Sequence, residues 1–408
     1  MKRMKITWAF VAAFALASCS NDALFEVKNN LDADRTDEVV VIQRAQVEQL
    51  LFCPEDKLPV VKSNGKYLPT QMDDMNGDGE WDELAFVVDV AANATVRMEL
   101  VGVDKMAYPE FEKRTNVRLG IHQEDGSFLE VDNYEAIPAT QPFQVIAQGE
   151  SVNWENDKMG FRNYFDCRNV KDLFGKRQPE LVIDKIHTPA MGNYHVLADW
   201  GMDILHCGNS VGSGGLALFE NDSLYRLGST DVYQYQKIAE GPVRSVFELR
   251  YSGWHVEDQV LSAVERIAIY PGKYWFQSDV TISGFQGEKQ VVTGIVTTHL
   301  KKEQPQQFEV GASHQAIATL DVQSLNNDEL GMAVILKSAE VTHIGEATKE
   351  NYYHKGEGLA YKTVPEKGFS NVISDTYYVA QRITNDVPAR HYFSAVWGLE
   401  DAKWKEMT

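Results

Sequence analysis

The sequence is short of positive charge, and this shortage limits the partners that the chain can bind. Its 408 residues include 39 Lys and Arg against 59 Asp and Glu, which gives a formal net charge of −20. A protein that binds the phosphate backbone of nucleic acids needs many Lys and Arg to displace counterions. Adhesion to an anionic membrane surface makes the same demand. We therefore expect no nucleic-acid partner and no electrostatic adhesion to a membrane.

Cysteine is also scarce. The chain has 4 cysteines, at positions 19, 53, 167 and 207, with no Cys-x-x-Cys pair and no His/Cys spacing typical of zinc ligands. Their wide spacing indicates no disulfide framework and favours small apolar core residues. We therefore expect neither zinc nor thiol chemistry, and no cofactor apart from the calcium considered below.

Long apolar runs are missing except at the N-terminus. Lys2, Arg3 and Lys5 precede an apolar run at 6–16, which as a helix would rise only about 16 Å and could not span a bilayer core of roughly 30 Å. The run ends in Leu-Ala-Ser-Cys, which resembles a bacterial lipobox. This pattern predicts a signal peptide at 1–18, lipidation of Cys19 and a polar tether at 19–35.

We therefore expect an exported lipoprotein, held by its lipid anchor in the periplasm or outer membrane of a Gram-negative bacterium. The alternative is an ordinary secretory signal in which the cysteine occurs by chance.

The rest of the chain has the pattern of an all-β protein. Short apolar or alternating runs are separated by turn residues, and Asn64-Gly65 is a strong hairpin signal. We expect a small antiparallel β domain at 36–118 and a large β-sandwich at 119–408, with the boundary inside a loop-rich stretch at 120–150. So many antiparallel strands must pack as two sheets or close into a barrel, and we favour the sandwich.

An acidic loop follows the predicted hairpin. Asp74, Asn76, Asp78 and Asp82 occupy positions 1, 3, 5 and 9 of a calcium-loop pattern. Position 12 is Ala85, where an EF-hand needs a bidentate glutamate, so this is no EF-hand. Two interpretations remain: a shorter structural calcium loop between strands, or an acidic turn built from Asx hydrogen bonds without metal.

Two further segments contain groups that suit chemistry on sugars. If 161–166 is a strand, Arg162, Tyr164 and Asp166 share one face, although a solvated face with a cross-strand ion pair is the simpler interpretation. Downstream, His195 and nearby carboxylates precede a glycine-rich stretch at 208–215 that suits a polar sugar pocket, unless His195 is a core histidine. The candidate catalytic residues are Glu155, Arg162, Tyr164, Asp166, His195, Asp199 and Asp203. The candidate substrate-binding residues are Lys176, Trp200, Arg244, Glu265 and His299.

Several of these segments together resemble one bacterial family. They are 71–74, 82–84, 109–111, 154–157, 161–166, 172–176 and 200–215. In content and order they are similar to the proteins of domain-of-unknown-function family 4861. The resemblance implies a large domain like the β-supersandwich of galactose-mutarotase-like proteins and some polysaccharide lyases. It also implies a role in polysaccharide utilisation, but it supplies no catalytic residues.

These observations lead to two hypotheses from different classes. The first is a carbohydrate-active enzyme that processes oligosaccharides, in particular uronate-containing ones. As a lyase, it would neutralise the uronate carboxylate with Arg162 or Arg244 and remove a proton with Tyr164 or His195. An epimerase would use a Glu base and a His acid. A hydrolase would take two carboxylates from the set Glu155, Asp166, Asp199, Asp203 and Glu265. The second hypothesis is a non-catalytic glycan-binding lipoprotein with an aromatic platform.

Overall fold

The computed structural model describes residues 23–136, 146–228, 230–347 and 373–400. The predicted signal peptide at 1–18 and the predicted lipidation site, Cys19, lie outside the described residues. The chain forms two compact units. The first runs to Asn116 and adds Ile238–Ser245 and Tyr270–Lys273, and the second contains Val117–Lys237, Val246–Ile269 and the chain from Tyr274 onward. The predicted range 36–118 implied one continuous segment for the smaller unit, whereas the structure builds this unit from three segments.

The first unit is a small antiparallel β structure with one short helix. Its strands are β1 (Ala23–Lys28), β2 (Arg35–Gln43), β3 (Lys57–Ser63), β4 (Lys66–Tyr67), β5 (Thr70–Asp73), β6 (Glu83–Val90) and β7 (Thr95–Asp104), and its helix is α1 (Arg44–Leu50). They form a four-stranded sheet in the order β1-β7-β3-β4 and a three-stranded sheet in the order β2-β6-β5. Helix α1 has 7 residues, and none of the described helices is long and apolar enough to cross a bilayer.

Strand β1 occupies residues that the sequence analysis assigned to the tether. Phe25 and Val27 are each 2% exposed and belong to the core of the first unit, because alternate residues of a strand point to the same face. Strand β1 pairs along its whole length with β7. The prediction of a tether is therefore wrong for residues 23–28, whose apolar alternation is hidden among charged neighbours.

The second unit is built from the remaining strands. They are β8 (Thr115–His122), β9 (Phe128–Val131), β10 (Asn133–Ala136), β11 (Ser151–Asn156), β12 (Met159–Tyr164), β13 (Lys171–Lys176), β14 (Gly201–Asp203), β15 (Ser213–Glu220), β16 (Ser223–Arg226), β17 (Val232–Glu240), β18 (Ser245–Val256), β19 (Gln259–Ile269), β20 (Trp275–Ser283), β21 (Glu288–Val296), β22 (Gln306–Val310), β23 (His314–Asp321), β24 (Leu330–Lys337), β25 (Val341–Ala347), β26 (Thr376–Thr384) and β27 (Ala389–Trp397). Short 3₁₀ turns cover Gln148–Glu150 and Ser338–Glu340 in this unit and Lys105–Ala107 in the first unit.

These strands form three sheets around one core. The nine-stranded sheet has the order β10-β17-β18-β19-β20-β27-β24-β23-β22, the six-stranded sheet β14-β13-β12-β11-β8-β9, and the five-stranded sheet β16-β15-β21-β26-β25. Trp154 of β11 lies 5.2 Å from Phe247 and 5.3 Å from Phe276, both on the nine-stranded sheet, measured between ring centroids. The sheets therefore pack face to face, and the predicted all-β sandwich is confirmed.

His391 is a buried histidine inside this sandwich. It lies on β27 opposite Ser278 of β20 and is 1% exposed. Neither of its ring nitrogens has a hydrogen-bond partner among the described residues. Burial, helped by the positive charge of Lys171, lowers the pKa of His391 to about 3. The imidazole is therefore neutral in the folded protein at neutral pH.

This lowered pKa predicts a loss of stability in mild acid. The unfolded chain takes up a proton at His391 near pH 6.5, whereas the folded chain does so only near pH 3, so stability falls between about pH 6.5 and about pH 3. His391→Phe keeps a ring of similar size but cannot titrate. The urea concentration at the unfolding midpoint is measured at about pH 7 and at about pH 5 for both proteins. The decrease from the higher to the lower pH should be smaller for this variant than for the wild type. An equal fall in both proteins would show that His391 does not contribute.

Candidate functional site

The outer face of the six-stranded sheet carries five of the residues that the sequence analysis selected, namely Glu155, Arg162, Tyr164, Lys176 and Asp203. Strands β11 and β13 are buried at every position, and β12 at all but its last. One face packs into the sandwich, and residues 177–200, which contain neither helix nor strand, cover the other. A loop of this length without secondary structure is uncommon in a compact domain and is often functional. We call it the 177–200 loop.

The 177–200 loop is closed at its base and packed against the sheet. Lys176 pairs with Gly201 where β13 and β14 meet, so the two ends of the loop are adjacent. A small apolar cluster joins the loop to the sheet: Phe174, Val182, Ile183, Ile186 and Trp200. The segment is therefore an ordered cover rather than a free surface loop.

Two buried side chains also tie the 177–200 loop to the sheet through its backbone. The Glu155 carboxylate accepts hydrogen bonds from the backbone N–H groups of Val182 and Ile183, at 2.6 and 2.8 Å. It also accepts a hydrogen bond from the Lys176 ammonium group at 2.6 Å. Gln148 Nε2 donates to three loop carbonyls, at 3.3, 3.1 and 2.5 Å. Burial raises the pKa of Glu155, although Lys176 and the loop N–H groups oppose this. Glu155 and Lys176 are therefore buried partners that hold the loop, and neither is exposed in the way that the sequence prediction of catalytic and substrate-binding roles requires.

Arg162 is the centre of a second buried cluster on this face. It lies on β12 directly opposite Asp172 of β13, and its Nε and Nη2 donate to Asp172 Oδ2 at 2.9 and 2.5 Å. Nη2 also donates to Asp203 Oδ2 at 2.7 Å, and Nη1 donates to the Tyr194 hydroxyl at 3.4 Å. We call Arg162, Tyr164, Asp172, Tyr194, His195 and Asp203 the Arg162 network.

Burial determines the charge states inside the Arg162 network. It lowers the pKa of Arg162, but Asp172 and other neighbours outweigh this effect, so the pKa lies well above its usual value. Burial also raises the pKa of Tyr164 well above 10, so this phenol remains a neutral donor to Asp172 at 2.9 Å. The pKa of Asp172 is raised by burial despite the positive charge of Arg162. The network therefore holds one fixed cation between two carboxyl groups.

His195 is where the Arg162 network reaches solvent. Its side chain is 53% exposed, and its Nδ1 lies 3.0 Å from Oδ2 of Asp203, whose side chain is 2% exposed. A carboxylate that accepts Nδ1–H fixes the tautomer in which Nε2 is unprotonated. The Tyr194 ring lies beside the imidazole, with centroids 4.2 Å apart. An oriented imidazole with an exposed face is the arrangement of a general acid–base catalyst.

The structure brings together four of the predicted catalytic residues: Arg162, Tyr164, His195 and Asp203. The simpler interpretation had predicted a cross-strand ion pair on a solvated face of the sheet. The ion pair is present, between Arg162 and Asp172, but the 177–200 loop covers this face of the sheet. Asp166 lies beyond the end of β12, and its carboxylate accepts hydrogen bonds from Arg168. Asp199 is exposed near the end of the loop. Neither of these two carboxylates belongs to the network.

The predicted substrate-binding residues are scattered. Trp200 is 6% exposed and packs against Phe174, so it offers no stacking surface. Glu265 is buried in the sandwich, where it accepts Lys171 Nζ at 2.8 Å. Arg244 lies in the first unit and is paired with Asp73 at 2.7 Å. These three side chains are not placed to bind a substrate. His299 is half-buried, and its ring stacks on that of His206 at 5.2 Å.

The glycine-rich stretch contains a serine motif. Gly208-Asn209-Ser210-Val211-Gly212 has the Gly-x-Ser-x-Gly pattern of a hydrolase nucleophile elbow. Ser210 is 0% exposed, however, and its hydroxyl donates to the Cys207 carbonyl at 2.6 Å. No helix follows the serine, since the chain continues into β15. This serine therefore stabilises a turn and is not an exposed nucleophile.

The acidic loop of the first unit is organised by Asx hydrogen bonds. The Asp74 carboxylate accepts backbone N–H groups of Gly77, Asp78 and Gly79, and these bonds, led by that of Gly79, lower its pKa. The Asp82 carboxylate accepts the N–H groups at positions 75 and 76. In the described residues, no group of three or more His, Cys, Asp or Glu is arranged to hold a metal ion. These bonds favour the Asx turn, and calcium at Asp74, Asn76, Asp78 and Asp82 stays a prediction.

Sequence reasoning missed two members of the Arg162 network, Asp172 and Tyr194. Asp172 could have been found from the strand register, because a buried arginine needs a carboxylate opposite it on the neighbouring strand. Tyr194 lies in the 177–200 loop, and no local pattern indicated that this segment folds back over the sheet.

Comparison with solved structures finds only remote similarities. An α-mannosidase from Enterococcus faecalis gives a TM-score of 0.44 with 8% identity, over 95% of this chain and 44% of that chain. A glycosyl hydrolase family 38 protein from the same organism gives 0.43 with 8% identity, over 92% and 44%. A protein from Klebsiella pneumoniae assigned as an aldose 1-epimerase gives 0.32 with 9% identity, over 72% and 94%. The chain spans less than half of the two Enterococcus proteins, and at these low TM-scores the likeness assigns no reaction.

Sequence comparison identifies the family. An uncharacterized protein, P7, from Formosa agariphila is 24% identical over 306 residues, which cover 70% of this chain and 71% of that protein. The family model described as Domain of unknown function (DUF4861) matches residues 27–408. The resemblance deduced from the motifs is thereby confirmed, and the chain belongs to the DUF4861 family.

Proposed function

We propose that this protein is a carbohydrate-active enzyme whose chemistry is proton transfer at His195. The observation that carries the proposal is an exposed imidazole held through Nδ1, at 3.0 Å, by a carboxylate that is itself buried and bound to Arg162. The buried carboxylate orients the ring and stabilises the imidazolium that forms when Nε2 takes up a proton. The carbohydrate class follows the expectation attached to the family resemblance.

Tyr194 is the second proton carrier in this proposal. Its hydroxyl accepts a hydrogen bond from Arg162 Nη1 at 3.4 Å, so its own proton remains available to a substrate oxygen. His195 Nε2 would accept a proton from the sugar, and Tyr194 would donate to the oxygen that gains negative charge. Elimination and epimerisation both need such a pair.

The geometry gives less support to glycoside hydrolysis. That reaction needs two carboxyl groups flanking the bond that breaks. Of the five carboxylates proposed for this role, Glu155 and Glu265 are each 0% exposed and paired with lysines. Asp166 and Asp203 are also buried and paired with arginines. This leaves Asp199 as the exposed member of the set, and one carboxylate does not make the pair.

The arginines named for uronate recognition are occupied. Arg162 is 2% exposed and its guanidinium is directed at Asp172, Asp203 and Tyr194. Arg244 is paired with Asp73 and Glu83. Neither is placed to neutralise a uronate carboxylate, so we propose a positioning role for Arg162. The oligosaccharide panel described below tests separately whether the protein prefers uronate-containing substrates.

A panel of defined oligosaccharides tests the proposed reaction class. Xylo-, manno-, cello- and galacturono-oligosaccharides are incubated with the protein and followed by ultraviolet absorbance, reducing-end assay and proton NMR. With galacturono-oligosaccharides, whose carboxylate acidifies the neighbouring C–H, we expect absorbance from an unsaturated product, and with the neutral sugars we expect a change of sugar configuration without new reducing ends. New reducing ends without unsaturation would contradict proton-transfer chemistry. Binding without any conversion would support the non-catalytic glycan-binding alternative instead.

A further inference from the structure

Five aromatic side chains form a continuous strip that ends at His195. They are His122, Phe128, His187, Tyr194 and His195. Successive ring centroids are 5.6, 6.1, 5.7 and 4.2 Å apart. The two end residues are exposed and the three middle ones are half-buried. We call this set the aromatic strip.

Two separate parts of the second unit supply the aromatic strip. His122 and Phe128 are paired across the β8–β9 hairpin. The other three rings belong to the 177–200 loop, in which His187 has a φ of 62°, a left-handed conformation that is uncommon for a residue with a side chain. Such backbone strain persists only where the surrounding structure holds it in place. The loop therefore continues, at some conformational cost, a row of rings that the hairpin begins.

We propose that the aromatic strip is a binding subsite for neutral sugar residues and delivers an oligosaccharide to His195. This inference rests on the proposed function, since it names the substrate surface of the same site. Successive rings are inclined to one another by 73, 63, 57 and 38°, so the strip offers separate apolar faces and edges rather than one flat platform. Single ring faces suit the apolar C–H faces of sugars, while the imidazole and phenol groups can hydrogen-bond sugar hydroxyls. Because the strip ends at the exposed imidazole, a chain of sugars lying along it would place one of its residues at Nε2.

The charges beside the aromatic strip favour a neutral occupant. The carboxylate of Asp125 interacts electrostatically with His122, and that of Glu150, which is itself paired with Arg168 at 2.8 Å, interacts with His187. Near the other end, the Arg162 network contains two carboxyl groups and one guanidinium. A polyuronate would bring further negative charge into this surface, whereas a neutral glycan would not.

Saturation-transfer NMR and calorimetry with defined tetrasaccharides test the subsite. The probes are xylotetraose, mannotetraose, cellotetraose and tetragalacturonate, and the variants are Phe128→Ala and His122→Ala. We expect transfer from aromatic protons to at least one neutral probe, and about tenfold weaker binding of that probe by Phe128→Ala. His122→Ala should weaken binding about threefold, a smaller effect because the His122 ring is exposed at the end of the strip. Phe308→Ala is the control, because Phe308 is a 49% exposed phenylalanine on β22 outside the strip.

Each outcome bears on the inference in a defined way. If both strip variants bind the neutral probe as tightly as Phe308→Ala does, the strip is not the subsite. If tetragalacturonate binds and the neutral probes do not, the neutral class is wrong. Failure of the proposed function has a different signature. In that case the neutral probe binds, Phe128→Ala weakens its binding, and the wild type converts none of it.

Discussion

His195→Gln should lower the turnover of the reactive oligosaccharide by about 10²–10⁴-fold, the usual contribution of a general acid or base. The side chain is 53% exposed, and the Asp203 oxygen that it meets keeps its hydrogen bond from Arg162 Nη2, so the replacement leaves no buried group without a partner. The melting temperature should therefore change little. Turnover is measured at saturating substrate, with circular dichroism to verify the fold.

The chain provides a matched control for this substitution. His255 is 43% exposed, and its Nε2 lies 3.2 Å from an oxygen of Asp231. This pair resembles His195–Asp203 except that its aspartate side chain is 67% exposed and not held by an arginine. His255→Gln should keep wild-type turnover. If both variants keep wild-type turnover, His195 is not the proton carrier.

Lys176→Met should destabilise the protein by about 3–5 kcal/mol, because it leaves the Glu155 carboxylate buried without its cation. Lys176 and Glu155 side chains are 1% and 0% exposed, so solvent cannot compensate for the lost partner. Glu155 also binds the backbone of the 177–200 loop at Val182 and Ile183. The loop carries Tyr194 and His195, so we expect turnover to fall as well.

Urea unfolding and hydrogen exchange measure the two effects separately. The unfolding midpoint reports the loss of global stability, and exchange at the amides of Val182 and Ile183 reports release of the loop. Lys337→Met is the control, because Lys337 forms a surface ion pair with Glu340 at 3.3 Å and is 56% exposed. That control should shift stability by less than about 1 kcal/mol. If Lys176→Met resembles it, Glu155 and Lys176 do not anchor the loop.

The strands of this protein could be predicted because alternation survives in its sequence. Strand β27 alternates strictly between fully buried and partly exposed positions, and β20 does the same in the opposite phase. The same rule placed Arg162 and Tyr164 on one face, which is where β12 presents them. The sequence analysis placed His195 and its nearby carboxylates in a polar pocket but left open whether Arg162 and Tyr164 meet them.

The environment of those residues could not be predicted from local pattern. Polar residues on a strand suggest a solvent-facing side, and nothing local reveals that the 177–200 loop covers β11 to β13. Glu155 and Lys176 were therefore assigned to catalysis and substrate binding, although both are buried partners of the loop. Glu265 was misassigned for a related reason, because its cation, Lys171, is 94 positions away in the sequence.

The aromatic strip was missed for the same physical reason. Its rings come from a hairpin and from a loop without regular structure, so no period of 2 or 3.6 residues connects them. His122 and Phe128 are close in sequence, but they meet His187 because the loop is held against the sheet by Glu155, Gln148 and the apolar cluster around Phe174. Such a surface becomes visible only once the loop conformation is known.

Chemical rescue is the most direct test of proton transfer at His195. His195→Ala removes the imidazole and leaves a space that free imidazole can enter beside Asp203. We expect turnover by this variant to be very low and to rise with added imidazole, while turnover by the wild type and by His255→Ala does not change with imidazole. Wild-type turnover by His195→Ala without imidazole would contradict the account.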